Sequence, residues 1–242
     1  MIVAFITVRS SSSRLAQKCF LPFGEVTVLE HIIKRVQYYG LEPLVCTTNE
    51  LEDDLIVEMA NHLNVRYFRG SSINKLLRWR DCCQAFNIQE FHTVDADDPF
   101  FCGEEVKRSF ALLKLGYDMV APTPSSSRGG ATVGYSLSAT IVEKACEGLE
   151  TETDTEMMWF YIERVKGLRK ITLTDPAESV IYHRMTLDYP EDYILLEAIR
   201  LIVGNFASRS QIYDVLKNNP DLAKVNAFRS EEWLVLQTVK IL

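Results

Sequence analysis

Apolar runs alternate with amphipathic segments along the first half of the chain. Short β-prone runs are typical of buried strands, whereas apolar residues at a 3.6-residue period are typical of helices. Strands are predicted near 2–8, 43–48, 65–69, 91–95 and 118–122, and helices near 28–39, 51–63, 72–86 and 104–115. Because strands that alternate with helices form parallel sheets with helices on their faces, this pattern predicts an α/β fold.

The second half of the chain has a less regular pattern. The segment from Thr123 to Thr132 is rich in serine and glycine, which is typical of a mobile loop. Strands are predicted at 133–138, 170–174 and 183–187, helices at 139–147 and 155–165, and mostly helices beyond Pro190. We expect one domain over 1–242, with a lid or dimerisation insertion at 123–175 and a helical C-terminal extension at 204–242.

Composition narrows the class of protein. Of the 242 residues, 47% are hydrophobic and 24% are charged, which is typical of a globular chain with a sizeable core. The net charge of −7 argues against a nucleic-acid partner, because such binding needs clustered basic residues. The six cysteines include no C-x-x-C pair of the kind that zinc or redox sites use. The sequence shows no signal peptide and no apolar segment of roughly 20 residues, so we expect a cytoplasmic protein with no membrane partner.

A loop with serines and cations follows the first predicted strand. It runs from Arg9 to Lys18 and contains four consecutive serines followed by Arg14. Open α/β sheets bind ligands at the carboxyl ends of their strands, and hydroxyls, backbone N–H groups and cations together can hold a polyphosphate. The Walker and G-x-G-x-x-G patterns are absent after this strand. A solvated serine-rich turn is therefore the alternative interpretation.

Two aspartates, Asp97 and Asp188, each follow an apolar run. Magnesium binds through a few carboxylates and keeps positions for water and phosphate, so two aspartates at separate strand ends suffice for a site. The alternative is that Asp97 ends a strand and Asp188 begins a helix, as aspartates commonly do. Asp98, which precedes Pro99, is open to the same alternative.

Several motifs together resemble a known family. The loop from Val8 to Lys18 resembles the A-R-x-x-S-[ST]-R-L-P-x-K loop of the CMP-3-deoxy-manno-octulosonate synthetases and, more closely, of the spore-coat polysaccharide type cytidylyltransferases. The other matching motifs follow in the family's order over most of the chain: Leu21-Pro22-Phe23-Gly24, Val28-Leu29-Glu30-His31, Glu52-Asp53-Asp54, Phe68-Arg69-Gly70-Ser71, Asp97-Asp98-Pro99 and Leu187-Asp188-Tyr189-Pro190-Glu191-Asp192.

The resemblance implies a Rossmann-like nucleotide-diphospho-sugar transferase fold, with a mostly parallel sheet covered by helices and a helical C-terminal end. It implies a magnesium cofactor held by Asp97 and Asp188. The expected nucleotide-binding residues are Arg9, Ser12, Ser13, Arg14, Lys18, Arg69 and Ser71. Of the residues so placed, Arg9, Lys18 and Asp97 are the expected catalytic ones.

The implied reaction is transfer of CMP from CTP to a sugar, expected to be acidic, with release of pyrophosphate. Arg128 is the candidate for binding the acceptor's carboxylate, because a guanidinium can grip a carboxylate with two hydrogen bonds; an exposed arginine without that role is the alternative. The general base stays open between Asp95, Asp98 and deprotonation by the metal. Relatives are often dimers, and the apolar stretch from Met157 to Tyr161 could either face a second subunit or pack in the core.

Two other functions remain open. Asp95-Ala96-Asp97 is a D-x-D sequence, so a glycosyltransferase that holds a nucleotide sugar through a metal is the first alternative. Ala16 and Ala96 stand where the family usually has proline and glycine, which leaves a non-catalytic nucleotide-binding subunit as the second.

Overall fold

A seven-stranded sheet forms the centre of the computed structural model, which describes residues 1–12, 14–175 and 183–239. The strands are β1 (Val3–Thr7), β4 (Glu42–Thr48), β5 (Arg66–Gly70), β6 (Glu90–Asp95), β7 (Met119–Ala121), β8 (Ser136–Ser138) and β9 (Lys170–Thr172). Their order in the sheet is β5-β4-β1-β6-β8-β7-β9. A short hairpin, β2 (Pro22–Phe23) and β3 (Val26–Thr27), stands apart from this sheet.

Helices cover both faces of the sheet. The helices are α1 (Val28–Tyr38), α2 (Asp54–His62), α3 (Lys75–Phe86), α4 (Gly103–Leu113), α5 (Ala139–Cys146), α6 (Met158–Ile162), α7 (Pro190–Val203), α8 (Arg209–Asn218), α9 (Pro220–Ala223) and α10 (Arg229–Val239). Successive residues of β1 point to opposite faces: Ala4 and Ile6 pack with α1, α4 and α7, whereas Phe5 packs with α3, α5 and α6. Both faces are apolar because the strand is buried on both sides.

The α/β fold with a mostly parallel sheet is confirmed. Strand β1 pairs in parallel with β4 on one side and β6 on the other, so the chain reverses its direction of strand addition at β1. Such a switch point opens a crevice at the carboxyl ends of the two strands that flank it. The loop that starts at Arg9 and the segment that starts at Ala96 both leave from this crevice.

Two local predictions were wrong, and the direction of one strand was not predicted. Strand β8 is antiparallel to both β6 and β7 within the mostly parallel sheet. Residues 183–187 form no strand; their backbone instead contacts loops, with Leu187 N–H donating to the Asp97 carbonyl at 2.7 Å. The segment predicted as a mobile loop includes a helical turn at Ser126–Gly130, where the buried Ser126 hydroxyl bonds to the Val133 carbonyl at 2.8 Å.

A buried arginine joins the C-terminal helices to the rest of the fold. Arg35 on α1 is fully buried, and its guanidinium donates to the carbonyl oxygens of Phe101, Asn205 and Ala207 at 2.8, 3.2 and 2.9 Å. A buried guanidinium needs such partners, because an unpaired charge in the core is costly. Within the described ranges, every helix is too short or too polar to cross a bilayer.

Candidate active site

Lys18 lies between the two aspartates that the sequence singled out. Its ammonium donates to Asp97 Oδ2 at 2.7 Å, to Asp188 Oδ1 at 2.9 Å and to the Leu187 carbonyl at 2.9 Å. Burial alone would lower the pKa of Lys18, but the carboxylates of Asp97 and Asp188 outweigh it and raise the pKa above its usual value. The predicted meeting of the cationic loop with both aspartates is therefore present in the fold.

Asp188 is the most enclosed carboxylate of this group. Its side chain is 2% exposed, and its Oδ1 also accepts from Arg14 Nη2 at 2.7 Å. Burial would raise the pKa of Asp188, but Lys18, Arg14 and Arg184 together hold it below its usual value. The side chain is thus a buried anion surrounded by cations.

A second acidic group lies at the end of β6. One carboxylate oxygen from each of Asp95, Asp97 and Asp98 comes within 4.8 Å of the others. Burial, followed by the charge of Asp97, raises the pKa of Asp98 well above its usual value. Burial also raises the pKa of Asp95 to about 6, against the opposing effect of Lys75.

These residues fit a divalent cation by their donor chemistry. Magnesium prefers oxygen ligands, and the β6 end offers three converging carboxylates. Asp97 and Asp188 also already share one positive charge, the Lys18 ammonium, between their oxygens. Magnesium binding by Asp97 and Asp188 stays a prediction.

Arg9 pairs with a different acidic residue. Its guanidinium lies 3.6 Å from Glu156 Oε2, and Glu156 Oε1 accepts from Lys75 Nζ at 3.2 Å. Lys75 begins α3 and interacts electrostatically with Asp95, so these charges connect Arg9 to the β6 end.

The remaining predicted residues are less directly placed. All three guanidinium nitrogens of Arg69 donate hydrogen bonds to the connection between β4 and α2. The acceptors are the carbonyl oxygens of Thr48 and Glu50 and the Asp54 carboxylate. The Ser71 hydroxyl accepts from Asn74 N–H at 2.9 Å at the start of α3. Ser12 is half-buried in its loop, Arg128 is exposed on the turn at 126–130, and Ser13 lies outside the described residues.

Three further groups around Asp188 were not predicted from the sequence. Arg184, Asp192 and Asn226 are all buried, and each belongs to the hydrogen-bond network that encloses Asp188. Asp192 could have been found, because it lies in the quoted D-Y-P-E-D motif at the third position of α7. No pattern in the sequence indicates Asn226, which lies 34 residues beyond its partner Asp192.

The comparison with protein families decides how this site is classified. The model of a family described as cytidylyltransferase matches residues 3–147, which hold the cationic loop and the β6 aspartates. The chain belongs to the cytidylyltransferase family. The resemblance found in the sequence is thereby confirmed, and with it a nucleotidyltransferase enzyme that uses CTP as its donor.

Individual relatives agree with the family. The chain is 24% identical over 237 residues to the spore coat polysaccharide biosynthesis protein SpsF of Bacillus subtilis, covering 92% of this chain and 96% of that protein. Its fold matches a cytidylyltransferase from Leptospira borgpetersenii at a TM-score of 0.80 and 21% identity, over 92% of this chain and 97% of the other. It also matches a CMP:2-keto-3-deoxy-manno-octonic acid synthetase complexed with CTP, at a TM-score of 0.62, 11% identity and coverages of 83% and 98%.

Proposed function

We propose that the protein transfers CMP from CTP to a hydroxyl of a sugar and releases pyrophosphate, for the synthesis of a polysaccharide or glycoconjugate. The observation that carries this proposal is the convergence of Arg14 and Lys18 on Asp97 and Asp188 at the switch point of the sheet. A triphosphate with a divalent cation needs both signs of charge in one place, and this crevice supplies them.

The chain's own cations would bind the triphosphate. Arg14 and Lys18 now neutralise carboxylates, and with magnesium held by Asp97 and Asp188 they would turn to phosphate oxygens instead. Bound magnesium would supply charge neutralisation on the phosphates. Arg9 would add a third cation once its contact with Glu156 is exchanged for phosphate.

The transfer step forms one bond and breaks one. The acceptor oxygen would bond to the α-phosphorus of CTP as the bond from that phosphorus to the pyrophosphate oxygen breaks. Lys18 and Arg14 would stabilise the negative charge that grows on pyrophosphate, since fixed charges need no reorganisation during the reaction. The hydroxyl proton would pass to a carboxylate at the β6 end, and Asp95 and Asp98 are the two candidates.

The acceptor class is the finer part of the proposal. We expect an acidic sugar, because the family resemblance extends to enzymes that activate such sugars and one structural neighbour is a synthetase for 2-keto-3-deoxy-manno-octonic acid. Arg128 is the proposed carboxylate-binding residue, from its exposed position on the turn at 126–130.

A pyrophosphate-release assay tests the function. The protein is incubated with magnesium, CTP and a panel of acidic and neutral sugars, and each CMP-sugar is identified by mass. We expect turnover with at least one acidic sugar. Lys18→Met and Asp97→Asn should each lower kcat by about 100-fold or more, because each removes a charge that acts on the phosphates.

Lys34→Met is the matched control. Lys34 also pairs with a carboxylate, Glu30 at 2.8 Å, but it lies on α1 and is half exposed, so its removal should leave kcat unchanged. Tighter binding of a nucleotide sugar than of CTP would instead indicate the D-x-D glycosyltransferase. CTP binding without turnover on any acceptor would indicate the non-catalytic subunit.

A further inference from the structure

The Asp188 carboxylate is contacted from two sides, the crevice and the protein interior. Arg14 and Lys18 contact its Oδ1 from the crevice, whereas Arg184 Nη2 contacts its Oδ2 at 3.2 Å from the protein interior. The Arg184 side chain is only 1% exposed. The direction in which Asp188 presents its oxygens therefore depends on where Arg184 is fixed.

Asp192 fixes both Arg184 and the backbone around Asp188. Its Oδ1 accepts from Arg184 Nε at 2.8 Å, and its Oδ2 accepts from Arg184 Nη2 at 3.0 Å. The same Oδ2 accepts from the backbone N–H groups of Asp188 and Tyr189 at 2.9 and 3.0 Å. One fully buried carboxylate thus sets the guanidinium and the two peptide groups that orient Asp188.

Asn226 closes this arrangement from the C-terminal extension. Its side-chain amide donates to Asp192 Oδ1 at 2.8 Å and to the Arg184 carbonyl at 3.0 Å, and the residue is fully buried. It lies between α9 and α10, and Trp233 on α10 places its ring 5.4 Å from the Arg184 guanidinium. All of these residues lie beyond position 147, where the match to the family model ends.

We propose that Asn226 is a positioning residue for the metal-binding carboxylate, so that the C-terminal helices complete the active site rather than only cover the sheet. Asn226 acts through Asp192 and Arg184, and touches neither substrate nor metal. Buried hydrogen bonds to ionised groups are among the stronger ones, and partners behind a metal ligand fix its orientation. This inference rests on the proposed function, because that function assigns the metal to Asp188.

The test replaces Asn226 with leucine, which has a similar volume and no N–H donors. Manganese is the probe, titrated by calorimetry into the whole protein, and bound manganese is also followed by its paramagnetic resonance spectrum. We expect the Kd for manganese to rise about 10- to 100-fold in Asn226→Leu, the usual range for losing a partner behind a metal ligand. The magnesium concentration for half-maximal pyrophosphate release should rise with it, while the KM for CTP at saturating magnesium stays unchanged.

Asn219→Leu is the matched control. Asn219 lies in the same extension, and its amide donates to the Val215 carbonyl at 2.8 Å, away from Asp192 and Arg184. This variant should bind manganese as the wild type does. Asn226→Ser keeps one hydrogen-bond donor, so its Kd for manganese should lie between those of the wild type and Asn226→Leu. If the leucine variant does not fold, the serine variant is tested in its place.

The outcomes separate the two proposals. Wild-type manganese affinity and magnesium dependence in a folded Asn226→Leu or Asn226→Ser protein would overturn the positioning role, even if the variant melts at a lower temperature. A wild-type protein that binds no manganese and transfers no CMP would overturn the proposed function, and the role of Asn226 would fall with it.

Discussion

Asp53 organises the start of the cationic loop through one buried carboxylate. Its Oδ1 accepts from the Ser10 N–H and hydroxyl, both at 2.7 Å, and its Oδ2 accepts from the hydroxyl groups of Thr47 and Thr48 and from the Thr48 N–H. Burial would raise the pKa of Asp53, but these hydrogen bonds, led by that of Thr48, outweigh it and lower the pKa. The loop that carries Arg9 is thereby tied to the end of β4.

Asp53→Asn should destabilise the protein by about 1–3 kcal/mol at neutral pH, because the new amide N–H₂ faces donors and leaves them unpaired. Since the folded pKa lies below the unfolded one, the wild-type advantage is full above pH 4 and disappears as the pH falls through the folded pKa. Urea unfolding from pH 7 to pH 2 measures this. Asp54→Asn, at a half-exposed neighbour, should cost less, and an equal loss in both variants would contradict the role given to Asp53.

At the scale of secondary-structure elements, the antiparallel strand β8 depends on a close backbone approach. Gly134 lies just before β8, and a Cβ built on it would be 2.1 Å from the Thr93 carbonyl oxygen. Hydrogen bonds from Thr93 N–H to the Tyr135 carbonyl and from Tyr135 N–H to the Thr93 hydroxyl, both at 2.8 Å, hold the two segments together. A side chain at position 134 would push β8 away from β6.

Gly134→Ala should therefore destabilise the fold by about 1–3 kcal/mol, the usual cost of overpacking a buried contact, as measured by urea unfolding. Gly148→Ala is the comparison, because that glycine has a φ of +76° and nothing within 4 Å of a built Cβ. It should show only the backbone cost of a left-handed alanine, about 1–2 kcal/mol. A stable Gly134→Ala protein would mean that β8 tolerates displacement.

At the scale of the whole molecule, buried neutral histidines couple folding to pH. His31 is almost fully buried, and burial lowers its pKa to about 4; His92 is fully buried, and burial lowers its pKa to about 3. An unfolded histidine titrates near 6.5. Below that pH the unfolded chain takes up protons that the folded chain does not. The free energy of unfolding therefore decreases by roughly 1 kcal/mol per histidine for each unit by which the pH is lowered.

His31→Gln isolates this effect, because glutamine can still donate to the Pro99 carbonyl that His31 Nε2 meets at 2.8 Å. Between pH 6.5 and pH 4 the free energy of unfolding should depend on pH less steeply than in the wild type, by roughly 1 kcal/mol per pH unit. Urea unfolding at several pH values measures both slopes. An unchanged slope in His31→Gln would contradict the lowered pKa of His31.

Local pattern was enough to predict most elements and part of the site. Strand β1 and helix α1 follow from the apolar period, which acts over a few residues. The pattern at 133–138 predicts a strand but not its antiparallel direction. The direction depends on which strands of the sheet β8 pairs with, here β6 and β7. Met185 and Leu187 alternate with polar residues as in a strand, yet the backbone of this segment bonds to loops instead.

By itself, the sequence determined the α/β class, the cationic loop from Arg9 to Lys18 and the two aspartates, because residue type and spacing carry that chemistry. Only the tertiary structure decided that the Lys18 ammonium lies between Asp97 and Asp188. The same holds for the hydrogen bond from Asn226 to Asp192, the residue that orients Asp188. These contacts join residues 34 to 170 positions apart. Packing of the whole core determines which residues far apart in the sequence come into contact, so such contacts cannot be predicted from a local pattern.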